Sequence, residues 1–207
     1  HHYGIDTDKI TSVHNGVEAL TPYKTKKPFP EKLILFLGRL TGQKGPGYFL
    51  ETAQKVIASE PNVRFVMVGT GDKLKSLIEA GAFKQIGNKF HFTGFLSPEK
   101  VHELLSMADV YCMPSVSEPF GISALEATQY GVPCVISNQS GVAEVLPSAL
   151  SADFFDVNQM AKHIVSLLND GKLKKKVVLN GYEDLKNVSW ENAAQKVVSL
   201  YRDKLFL

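Results

Sequence analysis

Cysteine is scarce: the 207 residues hold only Cys112 and Cys134. Two Cys cannot build a disulfide framework, and neither stands at metal-ligand spacing. Both fall in apolar runs, where a free Cys is a small buried hydrophobe, and a reducing cytoplasm is the default setting. Long apolar runs are lacking too. Nothing approaches the roughly 20 residues of a membrane-spanning helix, and residues 1–20 are polar, without the apolar stretch of a signal peptide. There is little excess charge of either sign. A net charge of +2 excludes the strong basic bias of a nucleic-acid binder and any general attraction to acidic membranes. No internal repeat of about 20–50 residues occurs. A starting Met is absent as well. The opening His1-His2-Tyr3-Gly4-Ile5 reads as a cut from a longer protein, with His1-His2 either native or the remnant of a tag.

What is present is a regular alternation. Residues 21–32 (TPYKTKKPFPEK) carry three Pro and four Lys and read as an exposed linker or loop. Lys32–Gly38 is a continuous apolar run, the mark of a strand buried on both faces. Gly47–Ser59 then places Phe49, Leu50, Ala53, Val56 and Ile57 at helical spacing. Strands are expected at 64–69, 90–93, 109–113, 132–136 and, short, within 148–154. Helices are expected at 72–80, from Pro98 to about Met107 with Ser97 as cap, and at 122–130, closed by Gly131. Three more helical segments follow near 157–169, 172–185 and 190–205. Strands that are apolar throughout and alternate with helices imply an α/β fold, a Rossmann-like doubly wound parallel sheet. The expected organisation is an interdomain segment and linker over 1–30, the Rossmann-like domain over 31–188, and a C-terminal helix over 189–207. Ligands of such sheets bind beyond the carboxyl ends of the strands, so the loops there are the ones to interrogate.

The first of them is Gly38-Arg39-Leu40-Thr41-Gly42-Gln43-Lys44-Gly45. Its glycines permit a tight turn and close backbone approach. Arg39, Lys44 and the amides of the following helix N-terminus together suit a phosphate or diphosphate. The alternative is a solvated loop with two ordinary cations. It is neither a Walker loop nor G-x-G-x-x-G. After the fourth strand comes Pro114–Ala127. Here Glu126 is the sole charge on a small, apolar helix. A buried carboxylate is costly unless hydrogen-bonded, and the adjacent hydroxyls of a ribose would satisfy both oxygens. Glu126 reaching solvent or a distant cation is the alternative. Glu118 precedes this helix, placed to accept bonds from a sugar or to meet developing positive charge. The N–H groups of Phe120, Gly121 and Ile122 form a second helix N-terminus for phosphate or sugar oxygens.

Other residues have plainer readings. His91 and His102 stand alone and read as surface residues, and His14 is placed near an interdomain cleft without a role. Lys172–Lys176 (KLKKK) reads as a solvated helix face, with contact to a membrane surface as the sharper alternative. Trp190 is expected to anchor the last helix by burial.

Taken in order, these segments resemble the C-terminal domain of GT-B-fold retaining glycosyltransferases of group 1, family 4 of that class. The resemblance covers most of the chain. VHNGVE (Val13–Glu18) is similar to the family's "xxNGVD". LFLGRLTGQKG (Leu35–Gly45) is similar to "GRxxxxKG". VMVGTGD (Val66–Asp72) and FTGFLS (Phe92–Ser97) match two further segments. SEPFGISALEA (Ser117–Ala127) matches the E-x7-E signature through Glu118 and Glu126, and Tyr130–Leu146 resembles "GxPVIAxxxGGxxE".

The resemblance implies roles. Arg39 and Lys44 neutralise a diphosphate and, with Glu118, act in catalysis. Glu126 binds ribose hydroxyls. Glu118 and the amides of Phe120, Gly121 and Ile122 hold the transferred sugar. Phe95 and Leu96 lie against the nucleobase, largely through backbone, and Gly38 and Gly69 complete the donor site. It implies a nucleotide-diphosphate sugar as donor substrate, no cofactor and no required metal. It also implies an acceptor held by an N-terminal domain not in this sequence, so that the fragment alone turns over little or nothing. Retention would mean acceptor attack from the face the leaving group departs. Location would be cytoplasmic, at most at the inner face of a membrane, with no nucleic-acid partner. Two departures stand out: Ser140-Gly141 replaces a Gly pair, and Ala149–Ala161 replaces "GxLVPPGD". The competing readings are a GT-B-fold sugar-nucleotide epimerase, whose loops are not seen, and a non-catalytic nucleotide-sugar-binding module. A glycogen phosphorylase lacks its lysine motif here, and a dinucleotide dehydrogenase lacks its glycine fingerprint.

Overall fold

A computed structural model describes residue 4 and residues 6–205. His1-His2 therefore lies outside the described residues. Six strands, β1 (Lys32–Leu37), β2 (Val63–Val68), β3 (Phe90–Gly94), β4 (Val110–Met113), β5 (Cys134–Ser137) and β6 (Leu150–Ala152), form one sheet in the order β3-β2-β1-β4-β5-β6. Every neighbouring pair is parallel. The helices are α1 (Pro46–Ser59), α2 (Leu74–Phe83), α3 (Pro98–Met107), α4 (Ile122–Gln129), α5 (Val157–Asn169), α6 (Gly171–Leu185) and α7 (Trp190–Leu205).

The continuous apolar run of β1 is explained by its alternation. Ile34 and Phe36 point into one core with Phe49 of α1, Phe65 and Phe90. Leu33, Leu35 and Leu37 point into the other, with Leu105 of α3 and Leu125 of α4. A strand covered by helices on both faces has no side to give to polar residues. The strand order reverses between β1 and β4, so the loops after them part there and open a crevice.

Three local expectations need correction. The fifth strand starts at Cys134, two residues late, because Gly131 turns with φ +69° and Val132 and Pro133 lead the chain back into the sheet. Ser97 occupies the cap position of α3, but its side chain makes no capping bond. Asp156 and Asp170 do cap, accepting from the amides of Gln159 and of Lys172 and Leu173. Trp190 is not buried: it is 53% exposed. The start of α7 is held instead by Ser189 Oγ, which accepts from the Asn192 amide at 3.1 Å, and by Gly16, where a Cβ would lie 2.0 Å from the Trp190 nitrogen.

The linker and the basic run are both less free than composition suggests. Lys27 Nζ bonds Asp109 Oδ2 at 2.5 Å, and Lys174 Nζ reaches Asp109 Oδ1 at 3.5 Å. Burial pushes the Asp109 carboxyl up, but Lys27, the Leu33 amide and Lys174 outweigh it and hold it below the usual carboxylate range. Lys172, Lys175 and Lys176 do lie in solvent. Cys112 and Cys134 are buried, and burial pushes the Cys134 thiol up to about 12. Among the described residues, no helix is long and apolar enough to cross a membrane.

Candidate functional site

The site begins with two neighbouring strand ends. Leu37 of β1 pairs in register with Val68 of β2, so Gly38 and Gly69 emerge side by side. A Cβ on Gly69 would stand 1.9 Å from the Gly38 carbonyl oxygen. Only glycine allows that approach, and it also carries the φ of +131° found there. The loop after β4 then lies on the loop after β1. The amides of Val116 and Ser117 donate to the Gln43 carbonyl at 2.9 and 3.3 Å. Gly45, with φ +65°, passes so close that a Cβ would meet the Pro114 oxygen at 1.9 Å.

This contact brings Lys44 to Glu118. Lys44 Nζ donates to Glu118 Oε2, with the two side chains 20% and 9% exposed. From behind, the Gly141 amide donates to the Glu118 carbonyl at 2.8 Å, and Ser140 Oγ donates to the Ser137 carbonyl at 2.6 Å. A Cβ on Gly141 would sit 2.2 Å from the Pro119 oxygen. The close approach thus needs one glycine of the expected pair, and Ser140 earns its place as a tie.

Between these loops lies a cleft of about 530 Å³, lined by Gly38, Arg39, Lys44, Gly69, Phe95, Leu96, Glu118, Phe120, Gly121, Ile122 and Glu126. Every donor-site residue expected from sequence is among them. Leu37, Val68, Thr70, Val101, Pro119 and Ser123 complete the wall. Arg39 is exposed and has no ion pair among the described residues. Gly121 turns into α4 at φ +109°, where a Cβ would crowd Met113 Cε at 3.0 Å. In the first turn of α4 the Ala124 amide donates to the Gly121 carbonyl at 3.1 Å, while Gly121, Ile122 and Ser123 line the cleft.

One expectation fails here. The N-terminus of α1 does not face this cleft. Gly42–Lys44 forms a short 3-10 turn before the helix. Gly45, Pro46, Gly47 and Tyr48 then line a separate groove of about 510 Å³ with Lys73 and Lys84. Positive charge on the β1 side of the cleft comes from Arg39 and Lys44 rather than from a helix dipole. A second difference concerns Phe95, whose ring is 80% exposed. The wall there offers an aromatic face as well as backbone.

Glu126 is half-buried, with no hydrogen bond or cation within ion-pair distance among the described residues. Burial pushes its carboxyl above the usual range, and His102 pulls it back in part. A raised folded pKa makes the native state hold the extra proton, so ionised Glu126 destabilises the fold as pH rises past the ordinary carboxylate value. Glu126→Gln is therefore expected to be more stable than the parent at pH 7, with the gap closing towards pH 4. Denaturation midpoints across that range test it, and a parent that is the more stable at pH 7 contradicts it. A carboxyl perturbed by burial in a cleft marks a candidate binding residue.

Among the described residues, the remaining histidines lie off the cleft. His91 Nε2 is 2.6 Å from Arg64 Nη1 at the sheet edge. His14 Nε2 lies 2.8 Å from Glu144 Oε2, its ring 6.1 Å from that of Phe120. It touches the back of the cleft wall but does not line it.

Comparison with known proteins bears on this geometry. The family model of glycosyl transferases group 1 matches residues 20–184. An uncharacterized glycosyltransferase of Methanocaldococcus jannaschii is 33% identical, over 94% of this chain and 54% of that protein. An S. aureus TarM variant, solved with Fondaparinux, alpha-GlcNAc-glycerol and UDP, has the same fold at a TM-score of 0.82 and 19% identity, over 97% of this chain and 41% of that one. The C-terminal domain of LpcC, a group 1 family protein of Francisella tularensis, matches at a TM-score of 0.73 and 22% identity, over 89% of this chain and 97% of that one. The chain spans about half the length of the curated relatives it matches.

Proposed function

The chain belongs to the group 1 glycosyl transferases, and from that premise we propose that it is the donor-binding half of a retaining hexosyltransferase using a nucleotide-diphosphate sugar. The observation that carries the reading is the single cleft in which Arg39, Lys44, Glu118, Glu126 and the first turn of α4 converge. On one side stand two cations, and on the other a lone carboxylate suited to a pair of ribose hydroxyls. A nucleoside diphosphate has the matching order of groups. UDP in the S. aureus TarM complex supports the choice of ligand class.

On this proposal, Glu126 takes the ribose hydroxyls and the Phe95–Leu96 wall takes the base. Lys44 has three N–H donors; one is on Glu118, and the others serve a diphosphate oxygen. Arg39 adds a second cation. As the glycosyl bond breaks, the ring gains positive character and the diphosphate gains negative charge. Arg39, Lys44 and the α4 amides stabilise that leaving group most at the transition state. Glu118 lies where the ring charge develops and holds the sugar with the amides of Phe120, Gly121 and Ile122. These charges do the work of a cation, so the proposal includes no metal. The acceptor attacks on the face the diphosphate leaves. It is held by a separate N-terminal domain, whose closure excludes water. The exposed Trp190, Val197, Val198 and Tyr201 of α7 suit packing against that domain.

Titration of the 207-residue chain with UDP, GDP and ADP tests the proposal. A ligand at 100 times its Kd stabilises by about 2.7 kcal/mol, a clear shift in Tm. One diphosphate is expected to bind, and Arg39→Ala and Glu126→Ala are expected to lose it. Absence of binding by all three, with the fold intact, counts against a preformed donor site.

A further inference from the structure

Tyr111 is the largest side chain of the core with no exposure at all. It stands on β4 among Leu35, Leu105 and Leu125, and its hydroxyl meets one partner, Ser123 Oγ, at 2.7 Å. Burial pushes the phenol up, so it remains protonated. A buried O–H donor without an acceptor is costly. The Ser123 oxygen is the acceptor within reach, so Tyr111 donates and Ser123 accepts. That fixes the serine proton by elimination. A hydroxyl has one proton and two lone pairs, and the Ser123 hydroxyl makes no other hydrogen bond among the described residues. Serine in a first helical turn often turns back on its own backbone; here it does not. Ser123 is half-buried and lines the cleft beside Gly121 and Ile122.

We propose that Ser123 is a further ligand-binding residue, its Oγ–H aimed at an oxygen of the donor diphosphate, and that Tyr111 is the positioning residue that aims it. This rests on the donor reading given above. The bond from Tyr111 polarises the serine hydroxyl and makes it a better donor. The α4 end of the cleft then offers a side-chain donor beside its amides, opposite Arg39 and Lys44. Tyr111 affects binding without touching the ligand.

The test is a double-mutant cycle on the full chain, read as Kd by calorimetry for whichever of UDP, GDP and ADP binds. Ser123→Ala is expected to weaken binding roughly ten- to a hundredfold, as for loss of a neutral donor on a charged acceptor. Ser123→Thr keeps the hydroxyl and is expected to restore most of it. Tyr111→Phe is expected to weaken binding a fewfold, and to have no further effect in the Ser123→Ala background. A merely structural role for Tyr111 would lower Tm and leave Kd unchanged, or weaken both backgrounds equally; either result overturns the positioning role. Equal affinity of Ser123→Ala and the parent overturns the hydroxyl contact while leaving the donor reading standing. A parent protein that binds none of the three overturns the donor reading and this proposal with it.

Discussion

Lys44→Met is expected to lose both stability and diphosphate affinity. The ammonium lies against Glu118, whose side chain is only 9% exposed. Removing it leaves a desolvated carboxylate without its partner. For a fully buried pair that costs roughly 3–5 kcal/mol. Lys44 keeps 20% exposure, so solvent can recover part of the loss, and about 1–3 kcal/mol is expected. Pairing Lys44→Met with Glu118→Gln removes the orphaned charge and is expected to return most of that stability. Affinity does not return, because the donor to the diphosphate is still missing. Loss of one such charge should weaken binding by about 2–4 kcal/mol, or roughly thirty- to a thousandfold. Denaturation midpoints and diphosphate Kd for the single and double variants separate the two effects. If the double variant is no more stable than Lys44→Met, the ion pair is not what holds Glu118.

Gly45→Ala is expected to be among the most damaging single methyls in the site. Its backbone is left-handed, at φ +65° and ψ 35°, which costs an L-residue roughly 1–2 kcal/mol. A Cβ there would lie 1.9 Å from the Pro114 oxygen. That neighbour is backbone and cannot rotate away, so the two loops must part. Together, about 2–5 kcal/mol of destabilisation is expected. The parting also draws Lys44 from Glu118, so diphosphate affinity falls with stability. Gly47→Ala is the control. It sits in the first turn of α1 with nothing within 4 Å of a Cβ, and alanine in a helix is favoured over glycine by up to about 1 kcal/mol. Opposite signs for the two variants are expected in urea denaturation. If Gly45→Ala is neutral, the contact between the loops does not assemble the cleft.

The architecture is legible from the residues alone, and the reason is visible in particular elements. Residues 32–37 have no polar side to show because helices cover both faces of β1. A strand in that environment can be recognised from composition alone. Glu126 was legible for the converse reason, a carboxylate on a helix otherwise without charge. Glycines could be marked as special, but not for which neighbour: Gly45 for Pro114 and Gly69 for Gly38 are pairings across the fold. Anchors were misread where the competing partner was distant in sequence. Trp190 looked like a buried anchor, yet Gly16 and Ser189 hold the start of α7. Lys27 and Lys174 looked like solvent charges and instead meet at Asp109.

How the charges of the site are shared depends on packing across the fold. Local sequence placed Lys44 at a helix N-terminus, aimed at phosphate. The packing of the β4 loop on the β1 loop turned the α1 amides into another groove and gave Lys44 to Glu118. Ser123 carried no signal that set it apart from its neighbours until Tyr111 was found beneath it. Periodicity reports which face of an element is buried, because burial acts on each residue separately. Which donor meets which acceptor is fixed by loops that touch across the sheet, and that information is in the contact, not in either segment.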